Sequence, residues 1–344
     1  MQISEFAFDL PDELIAQYPL EKRDSSRMLI VDREKGTIND AEFVDLTRIL
    51  TPAEVLVLNN TKVFPARLPG RTESGAMVEI FLVREIGELR WEALAKPLRR
   101  LRPGKRVIFG ENLNGIVVET TAEGRAIIEF EFGGDFFERL NEVGKTPIPP
   151  YIKRMDDAPV DEDRERYQTV FAASTGAIAA PTAGLHFTPE MLERTREKGV
   201  EIVEVTLHVG YGTFEPVRVD DLTEHKVMPE LYEISGASAA SLNRAKANGK
   251  RIIAVGTTTT RTLENAIARY GEFRPEKTYA ELTITPGFAF KAVGGMLTNF
   301  HLPKSSLLVL VSTFGGHELI MEAYKHAVRQ RYRFYSYGDC MLIL

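Results

Sequence analysis

The chain has 344 residues, 44% of them hydrophobic and 27% charged, and a formal net charge of −6 at pH 7. That length exceeds one small domain, and the apolar content suffices for a large core without staples. The single cysteine, Cys340, excludes an intramolecular disulfide framework and a cysteine-based zinc site, and the acidic balance argues against a general nucleic-acid coating protein while leaving room for a local basic patch.

The opening MQISEFAFDLPDEL has no basic region followed by an apolar stretch, so it does not read as a signal peptide. The apolar run Leu307 to Val311 is far too short to span a membrane. The expected location is the cytoplasm. In chain order, Asp9 to Glu13 reads as a helix start with proline in the first turn. Met28 to Val31 reads as a strand, Ala41 to Leu50 as a short helix and Val55 to Leu58 as a buried strand.

From about residue 67 to 133 the texture changes. MVEIFLV, RWEALA, KRVIFG, NGIVVET and RAIIEFEF are short runs rich in β-branched and aromatic residues, punctuated by glycine. That spacing predicts a sandwich or small barrel. Asp135 to Val143 reads as a helix, and Thr146 to Pro150 as a stiff connector. Beyond it helices and strands alternate. Thr188 and Pro189 start a helix that ends at Gly199, and EIVEVTLHV follows as a strand. Ala237 to Asn248 is a helix, RIIAVG a buried strand, Thr259 to Tyr270 a helix, AELTITP a strand and Glu318 to Arg331 a helix. Alternation of this kind predicts an α/β fold with a mixed, largely parallel sheet covered by helices. Residues 1–66 and 149–344 then form one discontinuous α/β domain, interrupted by an inserted, all-β barrel-like domain at 67–148. Three consecutive domains are the other organisation compatible with these textures.

Four stretches carry more polar residues than their turns require. In APTAGLHFT (180–188), Thr188 caps a helix and Gly184 eases a turn, but His186 is surplus. A satisfied interior histidine explains it. So does a titratable group on a loop at the carboxyl end of a strand, where ligands of open α/β sheets bind. HVGYGTFEPV (208–217) sets Gly210, Tyr211 and Gly212 between His208 and Glu215, which suits either a tight bulge or a close backbone approach to a ligand. AVGTTTTRTLENA (254–266) places Thr257, Thr258, Thr259 and Arg261 at a helix start after a buried strand. One hydroxyl suffices for a cap, and β-branched residues lower helix propensity, so the excess points to an anion site, with a generous cap as the other reading. TNFHLPKSSLLVL (298–310) threads Asn299, His301 and Lys304 among apolar residues. Two basic regions remain. Lys96 to Arg106 includes Arg99, Arg100, Arg102 and Lys105 and no acid, suited to a phosphate backbone or simply to solvent. Arg329 to Tyr337 interleaves cations with aromatics, as base stacking or a helix end would.

The six histidines show no metal-ligand spacing, and neither a Gly-x-Ser-x-Gly elbow nor a dinucleotide fingerprint occurs. No metal site is expected.

Together these strings resemble the S-adenosylmethionine:tRNA ribosyltransferase-isomerase family of queuosine biosynthesis. The resemblance runs end to end. It includes FDLPDELIAQYPLEKRDSSRMLI, LNNTKVFPARL, YQTVFA, AAPTAGLHFT, HVGYGTFEPV, GTTTTRTLE, TNFHLPKSSLL and RFYSYGDCML, and is weakest in the β insert. It implies an α/β domain with an inserted β-barrel. It also implies transfer of the ribosyl part of S-adenosylmethionine to the aminomethyl group of 7-aminomethyl-7-deazaguanine at the tRNA wobble position. The ribose becomes an epoxycyclopentanediol, and adenine and methionine leave. S-adenosylmethionine is consumed, no other cofactor is implied, and a monomer is expected because no coiled-coil pattern is present. The chemistry needs a base and an acid. His186, His208 and Glu215 are the candidates, with the two roles unassigned among them. Residues 210–212, Thr257, Thr258, Thr259, Arg261, Asn299, His301 and Lys304 are candidate substrate contacts. The basic run of the insert is the candidate tRNA contact. A non-catalytic tRNA-binding protein, a tRNA methyltransferase and a metal-free hydrolase of a small anionic substrate are the rival readings.

Overall fold

The computed structural model describes residues 1–154, 160–214 and 217–344. The chain opens on single 3-10 turns. The expected helix start at Asp9 shrinks to one turn, Asp12–Leu14, because the backbone of Ile15 and Ala16 turns aside to pair with Phe334. β1 (Arg27–Asp32) and β2 (Thr37–Glu42) form a hairpin. The helix expected over Ala41 to Leu50 is shorter than its pattern. Ala41 and Glu42 stay paired to β1, and a 3-10 turn at Phe43–Asp45 buries Phe43 and leaves only α1 (Leu46–Ile49). β3 (Glu54–Asn59) and the short β4 (Thr61–Val63) follow.

β5 (Arg67–Thr72), β6 (Met77–Gly87), β7 (Arg90–Lys96), β8 (Arg106–Gly110), β9 (Leu113–Thr120) and β10 (Ala126–Phe132) close into an antiparallel barrel in the order β10-β7-β6-β5-β8-β9. Closure removes exposed edges. Its interior is a core of its own, with Leu68, Ile80, Leu82, Val107, Val117, Ile128 and Phe130. Gly115 is needed for space: a Cβ there would lie 2.7 Å from Ile128. α2 (Phe136–Val143) is capped by the Asp135 side chain, which accepts from the Glu138 amide, and packs Leu140 into the same core.

The second half supplies α3 (Val160–Arg166), β11 (Ser174–Ala177), α4 (Pro189–Glu197), β12 (Glu201–Leu207), β13 (Glu230–Ile234), α5 (Gly236–Ala247), β14 (Arg251–Val255), α6 (Thr257–Tyr270), β15 (Glu276–Ala280), β16 (Gly295–Asn299), α7 (Ser306–Gly315), α8 (His317–Arg329) and β17 (Cys340–Ile343). As expected, Thr188 caps α4, accepting from the Met191 amide at 3.2 Å, a contact worth ~1 kcal/mol. The strand expected at AELTITP instead ends at Ala280, because the amides of Glu281 and Leu282 turn to the Asn265 side chain. The sheet order among the described residues is β15-β13-β12-β3-β14-β16-β17-β1-β2. The four central strands β12, β3, β14 and β16 run parallel, and antiparallel pairs flank them.

Alternation along the central strands divides the core between the two faces. Val55, Val57, Ile252 and Ala254 join the cluster on one face, and Leu56, Leu58, Ile253 and Val255 join the cluster on the other. A central strand buried on both sides must be apolar throughout, which is why VLVL and IIAV show no polar alternation. This doubly covered sheet aligns the carboxyl ends of its four parallel strands along one rim.

Candidate functional site

β14 runs into α6 through Gly256, whose φ of 94° lies where a side chain is strained. α6 has no side-chain cap, so its first amides point outward without an internal acceptor. The four threonines divide the work. Thr259 and Thr260 return their hydroxyls to the carbonyls of Val255 and Gly256, at 2.7 and 3.2 Å. Thr257 and Thr258 instead line a cavity over the rim. The end of β16 contributes Thr298, Asn299 and His301 to it. Ala180 to Ala183 form another wall, and Tyr151, Tyr167 and Tyr335 supply rings.

Hydrogen bonds fix the protons here. Thr298 donates its hydroxyl to the Asn299 carbonyl, at 3.3 Å, so its oxygen accepts from His301 Nε2 at 2.9 Å. His301 Nδ1 therefore keeps its lone pair. Burial pushes the His301 pKa down to about 3. The Tyr167 hydroxyl is buried without a hydrogen-bond partner, although Ser336 and the Ala180 backbone lie near it. Burial raises the pKa of Tyr151 and Tyr167. The cavity thus favours neutral groups throughout.

His186 sits in a 3-10 turn, Thr182–His186, and is 5% exposed. Burial lowers its pKa to about 4, which fits the satisfied interior histidine of the two readings and not a group titrating near neutral pH. Both ring nitrogens are engaged, with Ser26 and Asn299. It borders a second, smaller cavity with Arg23, Arg166 and Ser336. His208 lies off the main cavity, with Nδ1 2.8 Å from the Thr61 hydroxyl. Its ring covers Gly176, where a Cβ would come within 2.7 Å. Glu215 lies outside the described residues. Gly210 donates its amide to Glu230, Tyr211 meets Phe81 of the barrel edge-on at 6.1 Å, and Gly212 packs on Met228. That stretch joins barrel to sheet.

Arg261 was expected to grip an anion, and its donors are committed elsewhere. Nη1 bonds Glu230 at 2.7 Å, Nε bonds the Leu282 carbonyl, and Nη2 bonds the carbonyls of Met228 and Ala280. Lys304 lies in a separate surface groove with Asp9, Lys325 and Arg329. Arg99, Arg100, Arg102 and Lys105 form an exposed strip on the barrel, while Leu101 between them is buried. Among the described residues, Arg100 is the one of the four with a side-chain hydrogen bond, to the Met77 carbonyl at 2.8 Å. Among the described residues no group of three or more His, Cys, Asp or Glu is placed to hold a metal ion. No helix of the described residues is long and apolar enough to cross a membrane.

Residues 3–343 match the family model described as queuosine biosynthesis protein. The chain belongs to that family. A curated relative from Carboxydothermus hydrogenoformans, named S-adenosylmethionine:tRNA ribosyltransferase-isomerase, is 51% identical over 345 residues, covering 100% of both chains. One of the same name from Syntrophotalea carbinolica is 50% identical over 346 residues, again covering 100% of both. The crystal structure of S-adenosylmethionine tRNA ribosyltransferase from Thermotoga maritima is 36% identical, with a TM-score of 0.56, and covers 99% of this chain and 100% of that one. The cavity groups that were not among the expected site residues include Tyr151, Tyr167, Tyr335 and Ser336. The last two lie inside the cation–aromatic run Arg329 to Tyr337, which suits base stacking and a helix end followed by a core strand alike. Tyr151 and Tyr167 carried no local signal.

Proposed function

We propose that the chain moves the ribosyl moiety of S-adenosylmethionine onto the aminomethyl group of 7-aminomethyl-7-deazaguanine at the wobble position of a tRNA. The ribosyl unit is isomerised, giving epoxyqueuosine-tRNA, adenine and methionine. In this reading the α/β unit of residues 1–66 and 149–344 carries the reaction. The inserted unit of residues 67–148 holds tRNA through Arg99, Arg100, Arg102 and Lys105. The enzyme works as a cytoplasmic monomer. S-adenosylmethionine is consumed and no other cofactor takes part.

The observation that carries this reading is the meeting, in one cavity, of an uncapped helix N-terminus, a neutral imidazole with a free lone pair and an unpartnered phenol. The α6 amides suit the methionine carboxylate. The sulfonium acidifies the adjacent ribose CH₂, and His301 Nδ1 is the lone pair in the cavity that takes its proton. A base with so low a pKa is weak on its own, so the sulfonium must do much of the work. In this reading Tyr167 hydrogen-bonds the departing adenine. Each such general acid–base contribution is worth ~10²–10⁴-fold. The acceptor amine attacks as its neutral form, which a low-polarity cavity favours.

The test is product analysis. The protein is incubated with S-adenosylmethionine and tRNA carrying the aminomethyl-deazaguanine, and adenine release is followed beside the mass of the tRNA nucleoside. Stoichiometric adenine and an added ribosyl-derived unit are expected. Release of S-adenosylhomocysteine with a methylated nucleoside would replace this reading by a methyltransferase.

A further inference from the structure

Arg23 and Arg166 line the smaller cavity beside His186, a third arginine, Arg333, acts electrostatically on His186, and none of the three is paired with a carboxylate among the described residues. Arg23 donates to the carbonyls of Leu185 and Glu165, at 3.2 and 3.1 Å. Arg166 donates to those of Glu21 and Leu20, at 3.1 and 2.5 Å. Arg333 donates to that of Tyr18. Backbone carbonyls orient these guanidinium groups without cancelling their charge. Two further N–H groups, Arg166 Nε and Arg333 Nη1, are buried with no hydrogen-bond partner. The nearby Asp339 carboxylate is committed to the amides of Arg27 and Arg333, at 2.9 and 2.8 Å. Glu165, which acts electrostatically on Arg23, is exposed.

A cluster of partly buried cations with idle donors is unfavourable unless an anion completes it. Arg23 and Arg166 repel one another, and burial lowers the pKa of both Arg23 and Arg333. Guanidinium forks match the oxygens of a phosphate bidentately. The cavity shares Ser336 with the larger one that holds His301 and Tyr167, so an anion bound here lies next to the reacting groups.

We propose that Arg23, Arg166 and Arg333 form a subsite for a backbone phosphodiester of the polynucleotide substrate, next to the nucleotide that reacts. This rests on the tRNA reading above. A neighbouring aromatic favours a polynucleotide over a free anion. The Tyr18 ring is 58% exposed, and the Arg154 guanidinium lies 4.5 Å from its centroid. Such a platform stacks a base adjoining the held phosphate.

The experiment compares the full-length protein with Arg166→Gln, Arg333→Gln and the double variant. It measures tRNA affinity across a salt series, S-adenosylmethionine affinity and the melting temperature. Each single change should weaken tRNA binding about tenfold and lower the slope of log K against log salt by roughly 0.7–0.9 for each phosphate no longer neutralised. Binding of S-adenosylmethionine alone should hold. If a glutamine variant melts early, the lysine replacement, which keeps the charge, should recover affinity with the fold. Unchanged tRNA affinity and salt slope in folded variants overturn the subsite. Stabilisation of the wild type, but not of the double variant, by inorganic phosphate, with tRNA affinity unaltered, assigns the cluster to a free anion and overturns it equally. A wild type that binds no tRNA overturns the tRNA reading itself, which separates the two failures.

Discussion

His186 and Asn299 are locked in one orientation by a hydrogen bond of 3.1 Å from Nε2 to Oδ1. Asn299 Nδ2 donates to the carbonyls of Tyr335 and Ser336, at 2.8 and 3.3 Å, so Oδ1 is its acceptor end. The proton of His186 therefore sits on Nε2, and Nδ1 accepts from the Ser26 hydroxyl at 2.7 Å. The imidazole is neutral and fully engaged. It fixes an amide that lines the main cavity, and it does so from behind the wall.

That arrangement makes stability depend on pH with a definite sign. The folded His186 pKa is lowered from the ordinary 6.5 to about 4. The unfolded chain binds the proton first, so the stability His186 contributes is complete above pH 6.5 and falls as the pH drops toward 4. Between pH 7.5 and 5 this amounts to about 2 kcal/mol. Urea unfolding at both pH values should show that difference shrink by about this amount in His186→Phe. The variant should also lose roughly 1–3 kcal/mol at pH 7.5, because Ser26 and Asn299 lose a partner. An unchanged pH difference would remove His186 as its source. A hundredfold loss of turnover at unchanged stability would return it to a catalytic role.

Arg261 and Glu230 make an ion pair at 2.7 Å, with side chains only 6% and 5% exposed. Removing the arginine takes its ion-pair partner from Glu230, to which the Gly210 amide still donates, and a guanidinium donor from three carbonyls. Arg261→Ala should cost about 3–5 kcal/mol. Arg261→Met combined with Glu230→Leu should cost clearly less, since no charge is left unpaired. Denaturant unfolding of the single and double variants checks this. A folded Arg261→Ala protein of near wild-type stability, with a raised KM for S-adenosylmethionine, would instead support the anion-binding role that the threonine-rich helix start suggested.

Tyr167→Phe separates structure from chemistry at one atom. The hydroxyl is buried and unpartnered, so deleting it should leave stability unchanged or raise it by up to about 1 kcal/mol. If the hydroxyl bonds the leaving adenine, kcat should fall at least about tenfold, with the KM for tRNA unaffected. A stabilised variant with full kcat would place Tyr167 in the core alone.

Much of this frame was legible because single strings decided it. VLVL and IIAV had to be central strands, since nothing in them suits water. The glycine-punctuated runs between Arg67 and Phe132 had to be a compact β unit. Thr188 capped its helix as its position required. What escaped was set by partners distant in the chain. Asn265 redirects the amides after Ala280, so the strand lies at Glu276–Ala280, ahead of the run the local pattern marked. CMLI becomes a central strand only because β16 and β1 lie on either side of it. The helix start at Thr257 was legible as over-supplied with hydroxyls, but Glu230, which takes the Arg261 charge, is 31 residues away. Tyr151 and Tyr167 meet Tyr335 in a cavity from separate segments, and nothing local marks either of the first two.

The barrel strip gives a last test, distinct from the arginine cluster beside His186. Arg99, Arg100, Arg102 and Lys105 are exposed, and their long side chains gain little from the fold. Changing Arg99, Arg102 and Lys105 together to glutamine should leave the melting temperature within about a degree, as surface substitutions usually do. If the strip tracks a nucleic-acid backbone, tRNA affinity should fall and the salt slope should drop by roughly 0.7–0.9 for each phosphate that the variant ceases to neutralise. The turnover of bound tRNA should persist if His301 and Tyr167 carry the reaction, because the strip lies on the barrel and those residues line the cavity at the sheet rim. An unaltered slope would make the strip a solvated loop, and would leave the arginines at the rim as the cationic surface that meets tRNA.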